Sequence, residues 1–138
     1  MRQYSNKIQI TSNGICIKNI TQSVNKIVSQ SEIKNGIINL SILNTTASLL
    51  IQENADPDVL TDIEIFFKKL VSMDENYNHS SEGLDDMPAH IKATLTNSNL
   101  TLSIIDRSLQ LGVWQGIYLF EHRIINKTRT VLVHILGS

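Results

Sequence analysis

The sequence predicts a single-domain α+β fold in which mixed, mostly antiparallel β-sheets pack with about three helices. Three observations carry this. Strand patterns outnumber helical ones, the helices fall between early strands and a terminal run of strands, and 138 residues are enough to bury one core without staples.

The alternation of apolar and polar residues over Lys7–Ile10 and Ile15–Ile20, around Ser12-Asn13-Gly14, predicts an opening hairpin. Thr21 is then placed to cap a short helix with Val24, Ile27, Val28 and Ser31 on one face, and Asn35-Gly36 reads as its stop. Ile37–Leu43 and Ala47–Ile51 read as strands separated by the polar Asn44-Thr45-Thr46. Asp56-Pro57-Asp58 opens a second helix, because proline in the first turn sacrifices no hydrogen bond and acids suit the positive end of the dipole. Val59, Leu60, Ile63, Phe66, Phe67 and Leu70 recur at helical spacing and predict about four turns lying on the core, with the acidic face toward solvent.

Periodicity disappears between Ser72 and Pro88. A polar segment of this length inside a compact domain is a functional or a disordered loop, and its Tyr77, two methionines and Leu84 favour an ordered one. Asp86-Met87-Pro88-Ala89 starts a third helix reaching toward Asn97. Strands follow at Asn99–Ile104, Ser108–Gly112, Gly116–His122 and Thr128–Leu136, with Asn126-Lys127 as the last hairpin turn.

Composition narrows the function. Twelve basic and thirteen acidic residues give a net charge of −1, without the basic excess that a phosphate backbone demands, so no nucleic-acid partner is expected. No apolar run approaches the ~20 residues of a membrane span, and the first residues do not form a signal peptide, so a cytoplasmic protein without membrane association is expected. Cys16 stands alone in an alternating stretch and reads as a buried, inert thiol. No Walker loop, dinucleotide fingerprint, nucleophile elbow or Cys-x-x-Cys occurs.

Three regions hold candidate chemistry. His79 and His90 flank the polar loop, with Glu82, Asp85 and Asp86 between them; imidazoles and carboxylates suit divalent metals and proton transfer, although a spacing of eleven matches no zinc signature. A solvated loop histidine and a helix-surface histidine are the plainer alternatives. Glu53 ends a strand, where a side chain emerges into a cleft and can serve as base or ligand, or merely sit near a helix start. Trp114-Gln115 lies between Gly112 and Gly116, a setting for lining a pocket or for packing over glycine. His122 and His134 read as structural or surface residues.

Five blocks then appear in order: Asn44-Thr45-Thr46-Ala47-Ser48, Gln52-Glu53-Asn54-Ala55-Asp56-Pro57-Asp58, Tyr77-Asn78-His79, Asp86-Met87-Pro88-Ala89-His90-Ile91-Lys92-Ala93, and Leu111-Gly112-Val113-Trp114-Gln115-Gly116-Ile117-Tyr118-Leu119. Together they closely resemble the YjbQ family over nearly the whole chain. The resemblance implies an α+β homotrimer with a site at a subunit boundary. It also implies a secondary thiamine-phosphate synthase, joining a pyrimidine pyrophosphate to a thiazole phosphate with loss of pyrophosphate. By position it makes Glu53, His79 and His90 candidate catalytic residues. Asn44, Thr45, Thr46, Trp114 and Gln115 become candidate substrate-binding residues, and His79 and His90 candidate ligands of a divalent metal, magnesium or zinc.

The chain departs from the family in three places. Asn44 stands where the family has His before Thr-Thr, Phe120 where relatives often have Cys, and Asn97 where they usually have Gly. A neutral amide is a poor zinc or iron ligand, and it cannot carry a proton in place of imidazole, which would lower catalysis ~100-fold or more. Two functions therefore stand side by side: an enzyme acting on small phosphorylated substrates, and a metabolite- or metal-binding homotrimer in which Asn44 marks weakened catalysis.

Overall fold

The computed structural model describes residues 1–138. Strands β1 (Arg2–Asn13), β2 (Cys16–Asn19), β3 (Gly36–Ile42), β4 (Ala47–Glu53), β5 (Asn99–Ile105), β6 (Ser108–Leu109), β7 (Gln115–Glu121) and β8 (Asn126–Gly137) accompany helices α1 (Thr21–Ser31), α2 (Pro57–Leu70) and α3 (Asp86–Leu95). They form two antiparallel sheets, one ordered β1-β8-β3-β5-β6 and the other β2-β7-β4. The α+β expectation and the three helices hold.

The core is aliphatic. Ile8 and Ile10 of β1, Ile38 and Leu40 of β3, and Val131, Val133 and Ile135 of β8 alternate inward on the larger sheet, as the two-residue period of a strand requires. Leu49, Ile117 and Leu119 of the smaller sheet and Val24, Ile27 and Val28 of α1 close the same cluster.

The expected terminal hairpins do not form. β1 pairs along its whole length with β8, and β2 pairs with β7, so the turn containing Gly14, at φ 95°, carries the chain from one sheet to the other. Asn126 and Lys127 are likewise the first residues of β8, facing Asn13 and Ser12 across the ladder, and not a turn. Periodicity finds strands, but a long-range partner of matching length outcompetes the neighbour in sequence. Because β2 lies at a sheet edge, Cys16 is half-buried and not fully buried as expected.

Both ends of α1 differ from expectation. Thr21 is inside the helix, its hydroxyl accepting from the Ile117 N–H at 2.8 Å, so it ties α1 to β7 and caps nothing. Glu32, at φ 58°, ends the helix, while Gly36 already belongs to β3. The role of Gly36 is close approach: a Cβ there would lie 2.1 Å from the Leu136 carbonyl oxygen.

α2 begins as predicted, with Asp56 accepting from the Asp58 N–H and Pro57 in the first turn. It does not bury its apolar stripe: Val59, Leu60, Ile63 and Phe67 are half-buried, while Phe66 is 58% and Leu70 55% exposed. The helix lies along the three-stranded sheet, touching the flanking strands β2 and β4, where that narrow sheet covers only part of its stripe. The Glu64 carboxylate takes the otherwise free Ile17 N–H of β2. No helix is long and apolar enough to cross a membrane.

Candidate functional site

The polar segment before α3 is ordered by its own bonds. The Tyr77 hydroxyl donates to the Ser72 carbonyl at 2.7 Å, and Arg123, entering from beyond β7, donates to the Glu82 carbonyl at 2.9 Å. This folds His79 back against the first turns of α3. Asp86 and His90 are separated by four residues on that helix, hence on one face.

The result is a convergence on a single oxygen. His79 Nε2 lies 2.6 Å and His90 Nε2 3.2 Å from Asp86 Oδ2, and the two imidazoles meet edge to face at 5.4 Å. Glu82 approaches His79 Nε2 at 3.1 Å from the solvent side. The other Asp86 oxygen is held by Arg123 Nη1 at 2.6 Å, while Arg123 Nε donates to Asp85 at 2.8 Å. One guanidinium thus fixes two buried carboxylates.

Burial works to protonate Asp85, but the Arg123 bond, the Ile124 N–H and the arginine charge outweigh it and hold the carboxyl below the ordinary aspartate range. For Asp86 burial acts in the same direction and is outweighed by the His79 bond and the Arg123 and His90 charges. The Arg123 guanidinium is correspondingly raised, chiefly through its bond to Asp85. An ionised Asp86 can only accept, so His79 Nε2 donates in the 2.6 Å bond between them.

The donor set of His79, Asp86 and His90, all within 4.8 Å of one another, fits a divalent cation. Two imidazoles and one carboxylate favour zinc or iron over magnesium, which prefers oxygen ligands. Binding would displace the proton His79 Nε2 donates to Asp86, and Arg123 would remain the partner that orients the ligating carboxylate.

The remaining predicted residues divide into two groups. Asn44 and Thr46 lie at the end of β4 where Ala47 pairs with Glu121, close in chain to Arg123. Asn44 Oδ1 accepts the N–H groups of Thr46 and Ala47 at 3.0 and 2.8 Å, whereas its buried Nδ2 has no partner. The Thr46 hydroxyl is taken by Arg129, which is paired with the fully buried Glu121 at 2.6 Å, and Thr45 is exposed.

Glu53, Trp114 and Gln115 sit at the opposite end, where Glu53 pairs with Gln115, about 20 Å away along the strand. The Glu53 carboxylate accepts from the Ala55 N–H, and its carbonyl accepts from the Tyr118 hydroxyl. Asn54 Nδ2 donates to the Val113 and Gln115 carbonyls, and Gln115 Oε1 accepts from the Gly112 N–H. These bonds shape a tight turn that presents Trp114, 62% exposed. One chain therefore gathers His79 with His90 but leaves Glu53, Trp114 and Gln115 apart from them.

Residues 6–138 match the family described as UPF0047 protein YjbQ-like. The chain belongs to the YjbQ/UPF0047 family. It is 45% identical to a UPF0047 protein of Synechocystis over 99% of this chain and 94% of that protein. With YjbQ of Escherichia coli O157:H7 it shares 39% identity over 83% of each chain. A YjbQ-like protein of unknown function from Sulfolobus solfataricus has the same fold, with a TM-score of 0.87 at 25% identity, covering 99% of this chain and all of that one. An uncharacterised family member from Clostridium acetobutylicum superimposes with a TM-score of 0.83 at 36% identity over 99% of this chain and all of that one.

In this YjbQ-family chain the sequence places Asp86 among the carboxylates between His79 and His90 without giving it a role of its own, and it does not point to Arg123. Asp86 had a signal, its four-residue spacing from His90. Arg123 had none, since it meets Asp85 and Asp86 from 38 and 37 positions away.

Proposed function

We propose that this protein is a metal-dependent transferase of the thiamine-phosphate-synthase type, joining a pyrimidine pyrophosphate to a thiazole phosphate with release of pyrophosphate. The observation that supports it is the convergence of His79 Nε2 and His90 Nε2 on Asp86 Oδ2. His79, Asp86 and His90 would hold a divalent ion, which would supply Lewis-acid charge toward a diphosphate in a chain that has no free arginine cluster for the purpose. Thr45, with an exposed hydroxyl, donates to the substrate. Thr46 and the Gln115 side-chain oxygen Oε1 are already bonded within the protein and act by shaping their turns. Trp114 offers an exposed face for stacking a heteroaromatic ring, with the Glu53 carboxylate as the nearby base or orienting group.

The two groups of residues lie at opposite ends of one sheet, so the same reading has the site completed between copies of the chain in a homotrimer. Each end carries an exposed apolar side chain for a neighbour to cover, Leu43 (51%) beside Asn44 and Val113 (77%) beside Trp114.

The decisive assay measures thiamine phosphate formation by purified protein loaded with zinc, magnesium or no metal. Metal-dependent activity lost in His79→Ala is expected, and activity no higher than in that variant would overturn the reading. One observation favours a second function, that of a metabolite- or metal-binding protein with weakened catalysis: Asn44 Oδ1 is spent on two backbone N–H groups and is not free to ligate. Metal binding without turnover, with turnover restored by Asn44→His, would select it.

A further inference from the structure

A second cleft, of about 750 Å³, lies on the other side of α3, between α2, the segment after it and β7. Its walls are mainly apolar, and Phe67 and Phe120 meet there edge to face at 5.6 Å. Lys92 also lines it, although that residue is only 4% exposed.

A lysine in this position calls for an explanation. Two residues beyond His90, it points about 200° away around the helix, so the His79–Asp86–His90 cluster does not neutralise it. No ion pair in the chain reaches its ammonium. Asp85, whose charge reaches Lys92, is already bonded to Arg123 Nε and to the Ile124 N–H. An ammonium so largely enclosed and without an ion-pair partner is poorly hydrated, and an anion entering the cleft would offset part of that cost.

We propose that this cleft binds a small amphipathic carboxylate, its carboxyl group against Lys92 Nζ and its apolar body along Phe67, Leu84 and Phe120. A carboxylate is favoured over a phosphate because one buried ammonium neutralises one charge, and no arginine fork faces the cleft to take a second. Lys68 and Lys69 also line it, but Glu64 and Asp74 do too and balance them, so Lys92 carries the one excess positive charge.

The test compares octanoate, 1-octanol and octyl phosphate by calorimetry and by amide chemical shifts on the full chain. Octanoate is expected to bind saturably, shifting the amides of Phe67, Leu84 and Phe120, at least tenfold more tightly than 1-octanol. Lys92→Met, which keeps the length and removes the charge, is expected to abolish that preference. Equal binding of octanoate and octanol by the unaltered protein would overturn the proposal, a result that needs no variant to fold. So would tighter binding of octyl phosphate, a preference retained in Lys92→Met, or no saturable binding. Because the cleft is separate from the histidine cluster, octanoate binding should persist in His79→Ala and in chelator, whatever the fate of the transferase reading.

Discussion

Arg123 and Asp86 meet at 2.6 Å with both side chains buried, and the same guanidinium also binds Asp85 at 2.8 Å. Removing the arginine would leave two carboxylates without their cation. Arg123→Met is expected to destabilise the fold by about 3–5 kcal/mol, the usual cost of stranding a buried charge. Urea denaturation checks this, and a loss below about 1 kcal/mol would show that water replaces the arginine.

Asn44 holds the turn between the two sheets through two N–H bonds to one oxygen. Asn44→Ala is therefore expected to cost about 1–2 kcal/mol, whereas Asn44→Asp, which keeps that oxygen, should cost less. Thermal unfolding of both variants distinguishes a turn-forming role from a passive one; equal losses would discount the bonds.

His122 is fully buried, its Nε2 2.9 Å from Ser48 Oγ, and its Nδ1 lacks a partner. Burial, with the Lys92 and Arg129 charges, lowers its pKa to about 3. The unfolded chain binds this proton from about pH 6.5 downward while the folded chain refuses it. The stability is thus complete above about pH 6.5 and is lost progressively toward pH 3, by about 1.4 kcal/mol for each pH unit inside that window. Unfolding free energies at several pH values should show this slope, and His122→Gln should remove it; an unchanged slope in the variant would assign it to other groups.

Gly36 and Gly137 face each other across the β3–β8 ladder. An added Cβ on Gly36 would meet backbone, with the Leu136 carbonyl oxygen 2.1 Å away and Gly137 Cα 2.9 Å away. Backbone cannot swing aside as a flexible side chain can, so Gly36→Ala should destabilise the protein by about 2–3 kcal/mol. A melting temperature within error of the parent would show that the strands separate freely at this end.

The elements that announced themselves in the sequence are those governed by local chemistry. Asp56-Pro57 starts α2, and two-residue alternation marks β1, β3 and β8, because caps and periods are written in neighbouring residues. Pairing is different. Nothing near Lys7 indicates that it faces Leu132, and so the opening and closing hairpins were misread. The site divides on the same line. His79 and His90 stood out as residue types, and the resemblance supplied Glu53 and Trp114. The bond from Arg123 to Asp85 and Asp86, and the burial of Lys92 beside a cleft, arise only when distant segments meet.

The position of β8 between β1 and β3 has a consequence for synthesis. β1 precedes its partner β8 in the chain, so its twelve residues must wait while more than a hundred others are added. Until then β3 also lacks one neighbour and can pair only with β5. The larger sheet thus depends on long-range pairing, which slows folding relative to chains rich in local contacts. Ile8 and Ile10, buried in the finished protein, are what a chaperone would meet in the meantime.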